Sequence, residues 1–444
     1  MLTRFAPSPT GFLHIGNMRT ALICYLYAKK EAKNGSGEFL LRIDDTDEER
    51  SKQEYVDAIK RDLEWLGISW DRTFKQSEHF DLYDNAVKKL KEDGRLYPCF
   101  ETGEELDVKR KMQLSRGLPP IYDRSALNLT SSQIAEYESK GITPHWRFKL
   151  NDEKSEWDDE IRGIASFEGK HSSDPILIRG NGVYTYMLPS TVDDIESGVT
   201  HVLRGEDHVS NTAIQIQIFK ALGGEVPKFA HNALIKTKEG KLSKRAGSMG
   251  VAELREEGIE SLALVSFLAK IGTSDDIELC ESMDQIINEF SIRKFGRAPT
   301  NYSIDDIKRL STKMVHTLPF SQISSRLEKR NISIDEKFWD AVRPNVNSLD
   351  EVKEWVNICK NDINITIEDK DFIAGALEVL PSGEWNENTW KEWTGLVKEK
   401  TGRKGKELFL PLRQALTGMD HGPELKVLLP LIGRDKVLER LSVK

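Results

Sequence analysis

The sequence predicts an α/β protein with a doubly wound parallel sheet, an α/β insertion and an all-α C-terminal region. Strand and helix signals alternate over roughly the first 65 residues, and this order is typical of a parallel doubly wound sheet. The same rhythm returns near residue 200 after a stretch of different pattern, which indicates an insertion within the fold. Strand signals nearly vanish after residue 303, so the remainder is predicted to be helical.

The N-terminal turn lies between a short strand, residues 2–5, and a helix predicted over residues 18–33. Two prolines exclude regular structure there, and Gly11 and Gly16 allow the backbone to approach a bound group closely. A strand, a glycine-containing turn and a helix N-terminus together present backbone N–H groups and the helix dipole to an anion. Taken alone, the turn fits an ordinary strand-to-helix loop equally well.

The second predicted strand, residues 38–43, is a compact apolar run of the kind buried in parallel sheets. It ends in an acidic cluster, residues 44–47, and open α/β sheets bind ligands outside the carboxyl ends of their strands. Ser51 and Glu54 then fit a capping box that opens the next helix. These features predict functional groups at the edge of the sheet.

The insertion is predicted over residues 79–187, with strands at 145–150 and 175–179. A glycine-containing turn predicts that the latter continues as a hairpin into a strand over 183–187. The main sheet is then predicted to resume with strands at 200–204 and 229–235, separated by a helix.

The sequence KLSKR at residues 241–245 places two lysines on either side of a serine, in a glycine-bounded loop. Such a loop suits a polyphosphate whose charge grows during a reaction. An isolated sequence of this kind is more often an exposed basic turn, so it does not identify a function by itself.

The C-terminal part of the chain contains amphipathic segments without strand signals. The predicted helices cover residues 304–317, 349–360, 385–400, 408–416 and 427–441. No repeat of fixed period is evident.

Composition narrows the class of protein. The 444 residues are 38% hydrophobic and 31% charged, and no apolar run approaches the ~20 residues that span a bilayer. The four cysteines are widely scattered and the N-terminus lacks the apolar region of a signal peptide, so we expect a cytoplasmic protein without a disulfide framework. The net charge of −8 argues against simple electrostatic binding of nucleic acid, so any such contact depends on local patches.

Several sequences in the right order resemble class I aminoacyl-tRNA synthetases. HIGN at 14–17 and KLSKR at 241–245 look like that family's HIGH and KMSKS signatures. The flanking sequences are similar to the glutamyl and glutaminyl branch: RFAPSPTG at 4–11, LRIDDTD at 41–47, VDD at 192–194 and LRGEDH at 203–208. The helical tail, with FLPLRQALTG at 409–418, resembles bacterial glutamyl-tRNA synthetases, and the resemblance covers essentially the whole chain.

The resemblance implies a split Rossmann-like fold with four parts. The expected parts are a catalytic domain of residues 1–78 and 188–235, an inserted domain of residues 79–187 that binds the tRNA acceptor end, a stem-contact domain of residues 236–310 with the KMSKS-like loop, and a helical anticodon-binding region of residues 311–444.

The resemblance also implies ATP-dependent ligation of L-glutamate to tRNA through a glutamyl-adenylate, with Mg²⁺ as cofactor. The expected ATP-binding residues are His14, Gly16, Asn17, Lys241, Ser243 and Lys244, of which His14, Lys241 and Lys244 are the expected catalytic residues. The expected glutamate-binding residues are Arg4, Ala6, Ser8, Asp44, Tyr186, Ser190 and Arg204. Glutamine would leave a buried arginine unpaired, which costs on the order of 2–5 kcal/mol.

Four positions depart from the family pattern. Asn17 replaces the second histidine of HIGH, and Asp44 is one methylene shorter than the glutamate common at that place. Ser190 stands where relatives often have asparagine. Cys99 has no cysteine partner nearby, so we expect no zinc of the kind that some relatives carry in the insertion.

The prediction of the cognate tRNA rests on the sequence PNVNSL at 344–349. Many glutamyl enzymes place an arginine there to read the third anticodon base, whereas this chain has Asn345. A short amide in place of a planar bidentate donor changes base reading. The expected partners are therefore tRNA-Glu and, as an additional or alternative substrate, tRNA-Gln, bound by a monomer.

Four other classes share part of this pattern. A glutaminyl-tRNA synthetase ends in β-barrels rather than helices, and a shortened paralogue that modifies a tRNA base lacks the C-terminal region. Nucleotidyltransferases with a HIGH signature need no anticodon-reading tail. A non-catalytic tRNA-binding protein would need neither the two lysines of KLSKR nor the pair Arg4 and Arg204.

Overall fold

The computed structural model describes residues 1–33, 35, 37–169, 172–237, 240–241 and 250–442, with the backbone alone at residues 237, 240 and 241. The chain falls into two compact units. The first comprises Met1–Leu254 and Leu264–Ser303, and the second comprises Arg255–Ala263 and Ile304–Lys444.

All the strands named here belong to the first unit. They are β1 (Leu2–Phe5), β2 (Glu38–Ile43), β3 (Arg72–Lys75), β4 (Leu96–Cys99), β5 (His145–Phe148), β6 (Lys154–Asp159), β7 (Gly163–Glu168), β8 (Ile176–Ile178), β9 (His201–Gly205), β10 (Lys228–Asn232), β11 (Ile235–Thr237), β12 (Gly240–Lys241) and β13 (Thr300–Tyr302).

The helices follow in chain order. They are α1 (Ile15–Ala32), α2 (Gln53–Trp65), α3 (Phe80–Glu92), α4 (Gly103–Ser115), α5 (Ser131–Ser139), α6 (Met187–Ser197), α7 (Val209–Leu222), α8 (Val251–Glu256), α9 (Ser261–Lys270), α10 (Met283–Glu289), α11 (Ile304–Thr317), α12 (Phe320–Glu328), α13 (Glu336–Val342), α14 (Val352–Lys360), α15 (Lys370–Glu378), α16 (Thr389–Thr401), α17 (Lys406–Thr417), α18 (Leu425–Ile432) and α19 (Arg434–Leu441).

The main sheet has the strand order β3–β2–β1–β9–β10–β6–β7. The first six of these strands are parallel, and β7 is antiparallel to β6. The chain proceeds from β1 outward through β2 and β3 on one side, and through β9 and β10 on the other, so the strand order reverses between β1 and β9. Such a switch point is where open α/β sheets bind ligands, outside the carboxyl ends of the strands. The predicted doubly wound fold is confirmed.

Helix α1 covers the sheet beside this switch point. It packs against β1, β2 and β9, and its Met18 and Leu22 are fully buried. Burial of each such side chain stabilises the fold by about 1.5–3 kcal/mol. The start of α1 is therefore held firmly at the carboxyl edge of the sheet.

Two short sheets accompany the main one. The insertion forms an antiparallel sheet of order β4–β5–β8, and β11 lies between β12 and β13 in a second sheet. The hairpin β6–β7 lies within the range predicted for the insertion, yet it joins the main sheet through pairing of Asp159 with Phe229.

Three local predictions were wrong. The strand expected over 183–187 is reduced to a single bridge between Ile178 and Tyr184, and α6 already begins at Met187. Pro189 lies in the first turn of α6, where a missing N–H costs nothing. The strand expected over 229–235 is divided between β10 and β11, and the helix expected over 427–441 breaks at Gly433, whose φ is 83°.

The capping box expected at Ser51 does not form. Helix α2 has Lys52 as its N-cap without a side-chain hydrogen bond, and the Ser51 hydroxyl is buried without a hydrogen-bond partner. The Lys52 N–H donates to the Pro9 carbonyl instead (3.1 Å), because the chain enters this helix against the N-terminal turn.

The second unit is helical in its described part, as predicted for the C-terminal region. Two fully buried indoles, those of Trp339 and Trp393, lie in its core. Each indole N–H donates to a buried backbone carbonyl, of Leu318 (2.8 Å) and Ala376 (2.9 Å) respectively. A satisfied N–H removes the cost of burying the polar end of the ring.

Among the residues that the structure describes, no helix is long and apolar enough to cross a membrane.

Candidate active site

A cavity of about 640 Å³ opens at the switch point of the main sheet. It is lined from the end of β1, the start of α1, the end of β2, the start of α6 and the end of β9. All the residues expected to bind glutamate line it, together with three of those expected to bind ATP: Arg4, Ala6, Ser8, Asp44, Tyr186, Ser190 and Arg204, with His14, Gly16 and Asn17. The structure therefore brings together residues that are up to 200 positions apart in the chain.

The two polar side chains of the HIGN sequence cap helix α1. The Asn17 backbone N–H donates to His14 Nδ1 (3.2 Å), and the His14 backbone N–H donates to Asn17 Oδ1 (3.4 Å). This capping box starts α1 at Ile15, three residues earlier than predicted. Because Nδ1 accepts a hydrogen bond, the imidazole proton is on Nε2. His14 can therefore donate from Nε2, while Asn17 also has a structural role.

A buried arginine that the sequence reasoning missed organises one wall of the cavity. Arg42 Nε and Nη2 donate to the two carboxylate oxygens of Asp44 (2.7 and 3.1 Å), and Nη2 also donates to the Ser190 hydroxyl (3.0 Å). Arg42 Nη1 donates to Asp194 (2.8 Å), which also forms an ion pair with Arg4 (3.2 Å). Arg42 thus holds Asp44 and Ser190 in place.

The charge of Arg42 is fixed by its neighbours. Burial alone would lower the pKa of this guanidinium, but the carboxylates of Asp44, Asp194 and Asp193 outweigh burial and raise its pKa. Asp193 in turn accepts hydrogen bonds from Gln76 (2.7 Å) and Tyr83 (2.9 Å). A charged residue within the otherwise apolar residues 39–43 of β2 was the signal that could have identified Arg42.

Arg204 differs from Arg4 and Arg42 in its partners. Its side chain is buried, and among the described residues it forms no ion pair with a carboxylate. Its hydrogen bonds go to uncharged groups, from Nε to His231 Nε2 (3.2 Å) and from Nη2 to the Thr212 hydroxyl (2.6 Å). Burial, followed by the charge of Arg4, lowers the pKa of Arg204 to about 10, so it stays protonated at neutral pH. The cavity wall thus carries a buried positive charge that suits an anionic ligand.

Arg19 is a second buried arginine that the sequence reasoning missed. It lines the cavity from α1, and Nη1 and Nη2 donate to the backbone carbonyls of Ala233 (2.8 Å) and Ile271 (2.9 Å). It thereby ties α1 to the segment that connects β10 and β11 and to the residue that follows α9. Burial lowers its pKa to about 10.

Part of the KLSKR prediction falls outside the described residues. Ser243 and Lys244 are not among the described residues. For Lys241 the structure describes the backbone alone, and this residue of β12 pairs with Lys236 of β11. Lys236 lines the cavity, and Gly250 forms a bridge with His14. The described residues before and after this sequence therefore lie beside the HIGN turn.

Cys99 lies in a hydrogen-bonded cluster of the insertion rather than among other cysteines. Its Sγ donates to Glu101 (2.9 Å), which also accepts from Tyr122 (2.6 Å), Ser125 (2.9 Å) and Lys109. Burial would raise the pKa of Glu101, but these hydrogen bonds lower it to about 2. The described residues include no group of three or more His, Cys, Asp or Glu side chains that could hold a metal ion.

Asn345 lines a separate cavity within the second unit, of about 750 Å³. Four carboxylates and one lysine line it as well: Glu336, Asp340, Glu387, Glu424 and Lys337. Hydrogen-bond acceptors therefore outnumber charged donors around Asn345.

Comparison with known proteins identifies the family. Residues 1–309 match the model of the catalytic domain of class I tRNA synthetases (E and Q), and residues 322–443 match an anticodon binding domain. The chain is 51% identical to glutamate–tRNA ligase 1 of Maricaulis maris (strain MCS10) over 99% of its own length and 98% of that protein. The chain belongs to the glutamate–tRNA ligase family of class I tRNA synthetases.

Other relatives agree with this assignment. Glutamate–tRNA ligase 2 of Ehrlichia canis (strain Jake) is 50% identical over 100% of this chain and 99% of its own. A crystal structure of a glutamate tRNA ligase from Elizabethkingia meningosepticum in complex with its amino acid superposes with a TM-score of 0.85 at 27% identity, covering 99% of this chain and 98% of that one. The predicted family, the enzyme class and the architecture with a helical anticodon-binding part are confirmed.

Proposed function

We propose that this enzyme ligates L-glutamate to tRNA at the cavity of the main sheet, through a glutamyl-adenylate. The observation that carries the proposal is Arg204, a buried guanidinium in the cavity wall with uncharged partners. A buried cation is stable when a bound anion completes its surroundings. Glutamate supplies that anion, and Arg4, which is already paired with Asp194, assists from the neighbouring strand.

The other cavity residues supply complementary contacts to glutamate. Asp44, held by Arg42, is the proposed partner of the α-amino group, and Ser190 is held by the same guanidinium. Ala6, Ser8 and Tyr186 are proposed to complete the pocket. A neutral amide in place of the γ-carboxylate leaves an arginine without its anion, so glutamine is refused.

The reaction needs no nucleophilic side chain. A glutamate α-carboxylate oxygen attacks the α-phosphorus of ATP, the bond to the β-phosphate oxygen breaks, and pyrophosphate leaves. A hydroxyl of the terminal tRNA ribose then attacks the acyl carbon, AMP leaves, and the hydroxyl proton passes to the departing phosphate. The enzyme contributes positioning and stabilisation of charge. His14, Gly16 and Asn17 are proposed to hold the nucleotide at the start of α1.

Mg²⁺ is proposed to enter with ATP. This ion is commonly held by substrate phosphates with only one or two carboxylates, and the absence of a cluster of metal-binding side chains in the described ranges is consistent with that mode. Bound Mg²⁺ would neutralise phosphate charge. No zinc is proposed, because the cluster around Cys99 is already satisfied by Glu101 and Tyr122.

Lys244→Ala is expected to slow ATP–pyrophosphate exchange by about 10²–10³-fold, because the variant loses one donor that stabilises the charge developing on the phosphates. The glutamate KM is expected to change by less than about threefold. Exchange is measured with tRNA present, at saturating and limiting glutamate. Lys89→Ala, which removes an exposed lysine paired with Asp93, is the control. Equal losses in kcat and in glutamate affinity would refute the phosphate role.

The roles of the domains are proposed from the resemblance to glutamyl-tRNA synthetases. Residues 79–187 would contact the tRNA acceptor end, residues 236–310 its stem, and residues 311–444 its anticodon. A cytoplasmic monomer is the proposed state.

We further propose that the enzyme charges tRNA-Gln as well as, or in preference to, tRNA-Glu. The third anticodon base is guanine in tRNA-Gln and cytosine in tRNA-Glu. Guanine presents two adjacent donor groups on its Watson–Crick edge, whereas cytosine presents one. The acceptor-rich cavity around Asn345 supports the choice of guanine.

Charging of purified tRNA-Gln with glutamate is therefore expected to be at least as efficient as charging of tRNA-Glu. Asn345→Arg is expected to shift the ratio toward tRNA-Glu by about tenfold, because a bidentate donor is restored. Asn357→Arg, at an exposed position of α14, is the matched control for added charge. Charging of tRNA-Glu alone by the unaltered enzyme would refute the proposal.

A further inference from the structure

Two uncharged side chains hold the inner edge of the Arg204 guanidinium. Nε donates to His231 Nε2 at 3.2 Å, and Nη2 donates to the Thr212 hydroxyl at 2.6 Å. Thr212 and His231 are fully buried, and the Thr212 hydroxyl lies 2.9 Å from His231 Nε2. The three groups thus form a closed triangle behind the cavity wall.

A buried carboxylate holds His231 from its other side. Asp159 Oδ2 lies 2.5 Å from His231 Nδ1, and Asp159 Oδ1 accepts the His231 backbone N–H (3.1 Å). Because Nε2 accepts from Arg204, the imidazole proton is on Nδ1 and is donated to Asp159. Burial lowers the pKa of His231, against the effect of Asp159, which agrees with a neutral ring.

Asp159 is fixed independently of the cavity. It is the last residue of β6, and its Oδ1 also accepts the backbone N–H of Ile161 (3.2 Å) and of Arg162 (2.9 Å) in the turn that leads to β7. The hairpin β6–β7 therefore delivers a rigid carboxylate to the inner end of the chain Asp159–His231–Arg204.

The distance of this carboxylate from Arg204 has a chemical consequence. A carboxylate in direct contact would neutralise the guanidinium and compete with an anionic ligand, as Asp194 does for Arg4. An imidazole and a hydroxyl satisfy two N–H groups of Arg204 without cancelling its charge. The negative charge that offsets the burial of Arg204 is that of Asp159, and the His231 imidazole separates the two groups.

We propose that Asp159, His231 and Thr212 are positioning residues that orient Arg204 and preserve its charge for the glutamate carboxylate. This inference rests on the proposed function, because it assigns a ligand to Arg204. These residues thereby contribute to the choice of glutamate over glutamine, although none of them lines the cavity.

Thr212→Val tests the proposal, because valine has nearly the same shape and no acceptor. The glutamate KM is expected to rise roughly 10- to 100-fold. The KM for ATP and the kcat at saturating glutamate are expected to stay within about threefold, and discrimination against glutamine is expected to fall. Thr212→Ser keeps the hydroxyl and is expected to restore the glutamate KM to within a few-fold of the unaltered enzyme.

Asp159→Asn is a second variant in which the histidine loses its charged partner. We expect a smaller rise in the glutamate KM with the ATP KM unchanged, in ATP–pyrophosphate exchange with tRNA present. If Thr212→Val does not fold, Asp159→Asn alone decides the matter. If Thr212→Ser and Thr212→Val lose activity equally and both have a lowered melting temperature, the role of Thr212 is purely structural and the proposal is overturned.

Arg204→Ala separates this inference from the proposed function. If Arg204→Ala raises the glutamate KM while Thr212→Val and Asp159→Asn do not, the positioning role is refuted and the proposed function stands. If Arg204→Ala leaves the glutamate KM unchanged, both are refuted.

Discussion

Arg204→Ala is expected to raise the glutamate KM by about 10²–10³-fold, because truncating one partner of a buried charge pair costs 2–5 kcal/mol. The effect is expected to be large because the described residues offer no carboxylate that pairs with Arg204 in the absence of ligand. The interaction with glutamate is therefore gained in full when the ligand binds. ATP–pyrophosphate exchange with tRNA present, at several glutamate concentrations, measures the change.

Arg72→Ala provides the matched control for Arg204. Arg72 lies on β3 of the same sheet, is exposed, and pairs with Glu38 at the surface. Exposed pairs contribute about 0–1 kcal/mol, so its removal is expected to leave the glutamate KM unchanged. Glutamine should be activated relatively better by Arg204→Ala than by the control. An Arg204→Ala enzyme with the control's glutamate KM and selectivity would contradict the proposed role.

The location of the cavity could be predicted because it follows from chain topology. Residues at the carboxyl ends of neighbouring parallel strands converge, so Arg4, Asp44 and Arg204 had to lie near one another once β1, β2 and β9 were assigned to one sheet. The family resemblance alone indicated that these residues bind glutamate.

The supporting contacts could not be predicted, because they depend on side-chain directions across the sheet. Arg42 was visible as a charge in an apolar strand, but nothing in the sequence showed that it would bridge Asp44 and Asp194. Asp159 was assigned to the insertion, and its contact with His231 arises only because β6 pairs with β10. Such pairings are set by tertiary packing rather than by local sequence.

The predictions for the starts of α1 and α2 were wrong for a related reason. The start of α1 depends on a capping box in which histidine and asparagine replace the usual Ser/Thr and Glu/Gln, so the sequence pattern did not reveal it. At Ser51 the usual pattern was present, yet the Lys52 N–H donates to Pro9 instead. At Ser51 a tertiary contact therefore prevailed over the local pattern, whereas at α1 the local pattern was one that the usual residue types do not describe.

Arg42→Ala is expected to destabilise the first unit by about 3–5 kcal/mol, because removing one member of a buried ion network leaves uncompensated charge. Arg42 is 1% exposed, and Asp193 and Asp194 beside it are equally inaccessible to water. Arg4 still pairs with Asp194, so the cost falls mainly on Asp44 and Asp193. A melting temperature lower by roughly 5–10 °C is expected for a unit of this size.

The same variant is expected to lose activity for a different reason. Without Arg42, Asp44 and Ser190 lose the donor that fixes their positions in the cavity wall, so the glutamate KM should rise even below the melting temperature. Arg72→Ala is again the control, since its surface pair with Glu38 contributes little to stability. Calorimetry measures the melting temperature of both variants. An Arg42→Ala protein that melts with the control would mean that water reaches the carboxylates of Asp44, Asp193 and Asp194, and the buried network would then not be what shapes the glutamate pocket.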